Sequence, residues 1–212
     1  MKHIYCISGF AADERVFVHL NFGENTVHFI PWKIPQKNES ITSYAHRMRK
    51  DIEEANPILL GLSFGGMMCI EIAKEMAVEK IILISSVSTF HEMPWYMQIA
   101  AKLHLNDLVP LRPYSFLEKL ENYMLGAQTP EEKQLVRHYR KNLNFQYSDW
   151  AINQVLNWRN DWYPQNLIHI HGSKDHIFPV KNVKADYIIK DGGHLMLMNK
   201  AEEVNEILKT VL

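Results

Sequence analysis

Short apolar runs alternate along this chain with longer stretches whose apolar residues recur at helical spacing. Each run has the length of a buried strand and ends near glycine, serine, proline or a charged residue. That alternation is typical of a parallel sheet covered by helices on both faces. It predicts an α/β fold with a mostly parallel sheet of about six strands. The predicted strands are His3–Ser8, Val27–Pro31, Pro57–Leu62, Lys80–Ser85, Leu167–His171 and Asp186–Lys190.

Three helical stretches accompany these strands. In the last of them Ala201, Val204 and Leu208 share one helix face, as expected for a helix that packs on a sheet. A serine- and threonine-rich start marks the first of them as a helix N-terminus. The predicted helices of this core are Ser40–Ala55, Phe64–Met76 and Ala201–Val211.

The pattern changes between residues 86 and 164, where strand patterns stop and large aromatic residues become frequent. We interpret 86–164 as a helical insertion, here called the lid, placed over the carboxyl ends of the strands. Residues 1–85 and 165–212 then form the core into which the lid is inserted. The predicted lid helices lie around Trp95–Leu105, Ser115–Leu125, Thr129–Leu143 and Ser148–Arg159.

Composition narrows the class of protein. The 212 residues suit one domain, and 23 lysines and arginines nearly balance 24 aspartates and glutamates. This balance gives no indication of nucleic acid or an anionic membrane as a partner. No apolar run reaches membrane-spanning length, and the first residues have the pattern of a strand rather than a signal peptide. Cys6 and Cys69 lack metal-ligand spacing and are predicted to be buried free thiols, so we expect a cytoplasmic location. The protein is expected to be a monomer or a homodimer.

The segment Gly61–Gly66 carries the first candidate for chemistry. It reads Gly-Leu-Ser-Phe-Gly-Gly and lies between a predicted strand and a predicted helix. Glycines two residues to either side of Ser63 remove side chains that would clash where strand and helix nearly touch. Such a turn would present the Ser63 hydroxyl as a nucleophile. The alternative role is a plain helix N-cap, for which serine is also favoured.

A serine nucleophile needs a base to take its proton and a group to orient that base. Asp175 follows the strand that closes at Gly172, and His194 follows the strand that closes at Gly192–Gly193. Sites in parallel sheets lie outside the carboxyl ends of the strands. We therefore predict that these side chains meet Ser63 at one edge of the sheet.

These motifs resemble those of the α/β-hydrolase superfamily, in which serine, acid and base follow in the order Ser, Asp, His. The resemblance implies that Ser63 is the nucleophile, Asp175 the orienting carboxylate and His194 the general base. It spans nearly the whole chain outside the lid. The matching segments are the turn Gly61–Gly66, the acid loop His171–Pro179 and the base segment Gly192–Leu195.

The resemblance also implies an oxyanion hole made by the backbone N–H groups of Phe64 and Phe10. Phe10 lies in the loop after the first strand, which resembles the family's His-Gly loop. Ser8 stands where the family usually has the histidine. Because that histidine shapes the loop and takes no part in the chemistry, the oxyanion role of Phe10 is still expected.

The activity implied by the resemblance is that of a serine hydrolase. It would cleave a carboxylic ester or thioester through an acyl-enzyme, with no metal and no cofactor. A serine at this turn argues against dehalogenases and epoxide hydrolases of the same fold, which use aspartate there. A carbon–carbon bond hydrolase or another non-ester reaction on the same triad is an alternative, and a small-molecule receptor of the same fold is a second.

Substrate specificity is expected to reside in the lid. One lid helix has a basic surface of Lys133, Arg137, Arg140 and Lys141, which is either a solvated face or a docking patch for an acyl carrier protein or coenzyme A. Most lid aromatics are needed for the lid's own core, but a few would face the serine. The residues predicted to line the substrate pocket are Trp95, Tyr123, Trp158, Trp162 and Met196.

Other residues compete for these roles. Asp191 lies near His194 in sequence but is typical of a turn before two glycines, and Asp161 is a weaker candidate for the acid. Asp13 either lines the mouth of the site or is a solvated turn residue. The short segment 179–185 predicts a loop in place of a helix, which would leave a sheet edge open to a partner. A metal cluster is also conceivable, although no metal-binding motif accompanies its members His169, His171, Asp175, His176 and His194.

Overall fold

A computed structural model describes residues 1–103 and 117–212. Its centre is a six-stranded sheet in the order β2-β1-β3-β4-β5-β6, with every neighbouring pair parallel. All six predicted strands are confirmed, with shifts of a residue or two at their ends. The strands are β1 His3–Ile7, β2 Thr26–Phe29, β3 Ile58–Leu62, β4 Lys80–Ile84, β5 Leu167–Gly172 and β6 Tyr187–Ile189.

The strands are apolar on both sides because helices cover both faces of the sheet. Side chains alternate along a strand, so Tyr5 and Ile7 of β1 point to one face, whereas Ile4 and Cys6 point to the other. The same alternation runs through β3 and β4 and divides the core into two layers. This explains why the strands read as continuous apolar runs in the sequence.

Three helices of the core follow the predicted pattern. Helix α1 covers Ile41–Arg49, α2 covers Phe64–Ala73, and the C-terminal helix, α8, covers Ala201–Val211. The first two pack on one face of the sheet and the C-terminal helix on the other. Helix α1 is capped by Ser40, as predicted, but ends before the predicted Ala55. Ile52 packs on the core from the turn that follows, so its helical spacing did not require a helix.

The segment between β4 and β5 contains helices in the described residues and no strand. Leu105 and Ser115, predicted as helix ends, lie outside the described residues. One helix begins with a capping box in which Thr129 accepts from the Glu132 N–H and the Glu132 carboxylate accepts from the Thr129 N–H. The lid helices are α3 Trp95–Lys102, α4 Glu118–Leu125, α5 Pro130–Lys141 and α6 Phe145–Asn157.

The segment between β5 and β6 contains only a short 3₁₀ turn, Val180–Asn182, in agreement with the loop predicted there. The outer strand β6 is consequently thinly covered, and Ile188 is 59% exposed. A further short helix, α7, covers Met196–Asn199 between β6 and α8. Across the residues described, no helix is both long enough and apolar enough to cross a membrane.

Gly65 sets how closely α2 approaches the end of β1. A Cβ atom at this position would overlap the backbone carbonyl oxygens of Ile7 and Ser8. Because those atoms belong to the backbone of the sheet, they cannot turn aside as a flexible side chain would. The glycine is therefore required by the approach of helix to strand, as the sequence pattern indicated.

We expect Gly65→Ala to lower the free energy of unfolding by about 3 kcal/mol or more, despite the better helix propensity of alanine. Urea denaturation of the purified variant measures this change. Ser43→Ala, at an exposed position of α1, is the control and should stay within about 0.5 kcal/mol of the parent. Equal stability of Gly65→Ala and the parent would contradict the close approach.

Candidate active site

Ser63 lies at the sharp turn between β3 and α2. Its backbone has φ 53° and ψ −121°, in the positive-φ region that non-glycine residues rarely adopt. The residue occupies the N-cap position of α2, but its side chain makes no capping hydrogen bond. Its Oγ lies 2.8 Å from Nε2 of His194 instead. The serine hydroxyl therefore faces a histidine, and the plain N-cap interpretation is wrong.

Two hydrogen bonds hold the backbone of this turn. The Ser63 N–H donates to the Ile84 carbonyl at 2.9 Å, and the Ser86 hydroxyl donates to the Ser63 carbonyl at 2.7 Å. Both partners lie at the end of β4, the neighbouring strand. The strained conformation is thus maintained by the adjacent strand.

His194 follows the glycine pair after β6 and is buried. Its Nδ1 lies 2.8 Å from Oδ2 of Asp175, and its ring packs edge-on against Phe178 at a centroid distance of 5.7 Å. With Nδ1–H donating to the carboxylate, Nε2 is free to accept the proton of Ser63. The arrangement sets the tautomer that a general base needs.

Asp175 is buried, yet it carries the interactions that an ionised carboxylate requires. Its Oδ1 accepts from the N–H groups of Ile177 at 2.8 Å and Phe178 at 2.9 Å. Burial raises the pKa of Asp175, but the interactions with His194, His171 and the Phe178 N–H outweigh burial and leave its pKa below the ordinary value. The carboxylate therefore remains charged at neutral pH.

The loop proposed to supply the second oxyanion donor is held by side chains. Ser8 Oγ donates to the Ala12 carbonyl at 2.7 Å, so Ser8 bridges the two ends of this loop. Trp32 Nε1 contacts both Ser8 Oγ at 3.1 Å and the Gly9 carbonyl at 3.0 Å. A Cβ on Gly9 would lie 3.4 Å from the Ser63 Cβ, so the loop runs directly beside the serine.

The two residues predicted to form the oxyanion hole lie in the segments on either side of Ser63. Phe64 is the first residue of α2, where a backbone N–H has no acceptor within the helix. Phe10 follows Gly9 in the loop that passes the serine. The N-terminus of α2 adds the positive end of the helix dipole at this point, which favours a developing negative charge.

The overall fold of the chain is similar to that of solved structures. No family model and no curated protein sequence matches the chain. A bromoperoxidase from Bacillus anthracis superposes with a TM-score of 0.70 at 17% identity, over 99% of this chain and 91% of the other. An esterase from Exiguobacterium antarcticum gives 0.70 at 16% identity, over 99% and 91%. The chain has the α/β-hydrolase fold.

The solved structures similar to this chain are named for different reactions. An epoxide hydrolase from Bacillus megaterium superposes with a TM-score of 0.69 at 14% identity, over 100% of this chain and 93% of the other. A peroxidase, an esterase and an epoxide hydrolase thus share one architecture with it. The α/β-hydrolase fold alone therefore does not select a reaction, and the side chains at the site must be used.

Aromatic residues pack behind both oxyanion positions. The ring of Phe64 stacks on Trp32 at 5.1 Å, and the ring of Phe10 stacks on Tyr147 of α6 at 6.0 Å. Trp150, also on α6, meets Phe64 edge-on at 6.0 Å. The lid helix α6 therefore contacts both residues that are predicted to form the oxyanion hole. Sequence reasoning missed Trp32, although its place just after β2, at the carboxyl edge of the sheet, was an available signal.

The lid also contacts the base segment. The Leu195 N–H donates to the Leu125 carbonyl at the end of α4, at 2.9 Å. Gly126, which ends that helix with φ 73°, lies so close that its Cβ would be 3.0 Å from the Gly193 Cα. A side chain at Gly126 would therefore displace the segment that carries His194.

The competing acids lie elsewhere. Asp191 is exposed and its carboxylate pairs with Lys174 at 2.7 Å. Asp161 is exposed. Asp13 forms an ion pair with Arg15 and accepts a hydrogen bond from the Tyr139 hydroxyl at 3.1 Å, so it joins the oxyanion loop to the lid. None of these carboxylates takes the place of Asp175 beside His194.

The five residues predicted to line a pocket are dispersed. Trp158 is buried and donates from Nε1 to Glu71, and Met196 is buried in the opposite core layer. Both side chains pack in the core, which argues against their predicted place in the substrate pocket. The three that reach solvent are Trp95, 70% exposed, Tyr123, 61% exposed, and Trp162, 41% exposed.

The basic surface of α5 is partly neutralised. Arg137 lies 2.7 Å from Glu118, and Arg140 bridges Glu118 and Glu121 at 2.6 and 3.1 Å. These contacts hold α5 against α4. Docking of an acidic carrier protein would have to use the remaining lysines or break these pairs, so the solvated-face interpretation is favoured.

The histidines considered as metal ligands make other contacts. His171 donates from Nε2 to the Phe178 carbonyl at 2.8 Å and contacts His169 at 3.3 Å. His176 stacks on Tyr123 with a centroid distance of 4.4 Å. Over residues 1–103 and 117–212, no group of three or more His, Cys, Asp or Glu side chains is arranged to hold a metal ion.

Burial of His169 makes the stability of the protein depend on pH. Burial, followed by the neighbouring His171, lowers the pKa of His169 from 6.5 to about 3. As the pH falls from 6.5 toward 3, the unfolded chain takes up a proton at His169 that the folded protein does not. We therefore expect His169 to lower the free energy of unfolding by about 1.4 kcal/mol for each pH unit by which the pH falls within that window. Urea denaturation at pH 7, 6 and 5 should show a steeper loss for the parent than for His169→Gln, and equal slopes would contradict this account.

Proposed function

We propose that this protein is a serine hydrolase that cleaves a carboxylic ester or thioester through an acyl-enzyme. One observation carries the proposal: an unbroken hydrogen-bonded series runs from Ser63 Oγ through His194 to Asp175, with 2.8 Å at each step. Nucleophile, base and orienting carboxylate are thus in mutual reach. A receptor would not require a strained serine directed at a buried histidine.

The first step is attack on the acyl carbon. Nε2 of His194 accepts the proton as Ser63 Oγ bonds to the carbonyl carbon, and negative charge develops on the carbonyl oxygen. The N–H groups of Phe64 and Phe10 would stabilise that oxyanion, each contributing about 3–4 kcal/mol by comparison with other oxyanion holes. Asp175 stabilises the imidazolium that forms.

The second step releases the leaving group and then the acid. His194 returns its proton to the departing alcohol or thiol, which leaves the acyl group on Ser63. Water enters with His194 again as base, and collapse of the second oxyanion frees the acid and regenerates the serine. No metal or cofactor is used in this sequence.

An active-site probe tests the covalent step. A fluorophosphonate should label the native protein, and peptide mass spectrometry should locate the adduct at Ser63. A panel of acyl esters and acyl-thioesters of increasing chain length should then reveal turnover. A folded protein that shows neither labelling nor ester turnover, but hydrolyses β-diketones or only binds ligands, would overturn the proposal.

A further inference from the structure

The proposed mechanism leaves two buried histidines without a role. His169 and His171 lie two residues apart on β5, so they share one face of the strand, and both are fully buried. A buried histidine requires hydrogen-bond partners, because an unpaired polar group in the interior is costly. The partners of His171 lie in the loop that carries Asp175.

His171 holds that loop at two points. Its Nε2–H donates to the Phe178 carbonyl at 2.8 Å and lies 3.5 Å from Oδ2 of Asp175. The N–H of the same Phe178 donates to Oδ1 of Asp175. His171 therefore fixes the residue whose N–H holds one carboxylate oxygen, and its Nε2 lies 3.5 Å from the other oxygen, which His194 contacts.

The contacts also define the protonation of the pair. Because Nε2 of His171 donates to a carbonyl, its Nδ1 acts as an acceptor in the neutral ring. The 3.3 Å contact with His169 then requires His169 to donate from Nε2. Within the described residues the remaining Nδ1 of His169 has no hydrogen-bond partner. Burial lowers the pKa of both histidines, in keeping with neutral rings.

We propose that His171 is a positioning residue that holds the Asp175 carboxylate in place for its hydrogen bond with His194. The proposal rests on the proposed function, because its effect on rate requires the Ser63 mechanism. His171 touches neither Ser63 nor the reacting atoms and acts through Asp175. The resulting chain of side chains runs from Ser63 through His194, Asp175 and His171 to His169.

The test replaces His171 by glutamine or by asparagine, whose side-chain amides differ in length. In His171→Gln the side-chain N–H₂ extends to nearly the position of Nε2 and can donate to the Phe178 carbonyl, whereas in His171→Asn it falls short. We expect His171→Asn to lower kcat for a test ester about tenfold or more with KM nearly unchanged, since a contact to a charged group is lost. His171→Gln should stay within about threefold of the parent.

Proton NMR supplies a readout that does not depend on activity. The Nδ1 proton shared between His194 and Asp175 should give a low-field resonance in the parent and in His171→Gln, and should broaden or vanish in His171→Asn. His28→Asn, on the far edge strand β2, is the control for loss of an imidazole and should keep both resonance and kcat. Thermal unfolding checks that each variant is folded.

The outcomes separate the two proposals. If the parent neither labels nor turns over esters, the proposed function fails, while the low-field resonance still reports on His171. If folded His171→Asn keeps kcat and the resonance, His171 has no positioning role. If His171→Asn does not fold, His171→Gln decides: parental kcat and resonance support the role, and their loss overturns it.

Discussion

Replacement of Ser63 by alanine should lower kcat/KM for an ester substrate by about 10⁴-fold or more, close to the rate left by binding and the oxyanion donors alone. The variant lacks the Ser63 Oγ, which lies 2.8 Å from Nε2 of His194. Alanine keeps the Cβ and places no new atom against Gly9 or the end of β4. Steady-state kinetics on the best ester of the panel measures the loss.

A second serine controls for the loss of a buried hydroxyl. Ser88→Ala removes a fully buried side-chain oxygen that has no hydrogen-bond partner in the part of the chain that is described. Its kcat/KM should remain within about twofold of the parent. If Ser63→Ala retained more than a tenth of parental activity at equal stability, the covalent mechanism would be excluded.

Replacement of Asp175 by asparagine should lower kcat by about 10⁴-fold while the fold is retained. The amide oxygen would accept from the N–H groups of Ile177 and Phe178, as Oδ1 does now. The amide N–H₂ would then face His194 and force its Nδ1 to accept. The proton would move to Nε2, where it blocks transfer from Ser63.

Asp191→Asn is the matched control, because Asp191 is the alternative acid and pairs with Lys174 at the surface. It should leave kcat unchanged within about twofold, since an exposed ion pair contributes little. pH–rate profiles of both variants should be recorded with the same ester. A large loss in Asp191→Asn together with a small loss in Asp175→Asn would reverse the assignment of the acid.

Much of the fold was predictable because the strands of a parallel sheet that is buried on both faces appear in the sequence as continuous apolar runs. All six strands appear where apolar runs end at glycine, serine or polar residues, and the last helix has the predicted bounds Ala201–Val211. The end of α1 was not predictable from spacing alone. Ile52 continues the helical pattern, but it reaches the core from a turn.

Some of the site could not be inferred in this way. The pocket assignments of Trp158 and Met196 rested on residue type and position in the chain, and both side chains are packed in the core. Trp32 and Tyr147 support the oxyanion residues through ring contacts between segments far apart in sequence. No local pattern reports such contacts, because they depend on how the lid lies on the sheet.

The sequence by itself identified the side chains of the candidate site: a serine between two glycines, with an aspartate and a histidine at the ends of later strands. This was possible because a strand, a tight turn and a helix leave local signals at fixed spacing. Tertiary structure decided the remainder. It brings His194 to Asp175 and leaves Asp191 paired with Lys174 at the surface, and it places Trp32 against the loop that follows β1. These contacts join segments that are apart in the sequence, so packing sets them and local spacing does not record them.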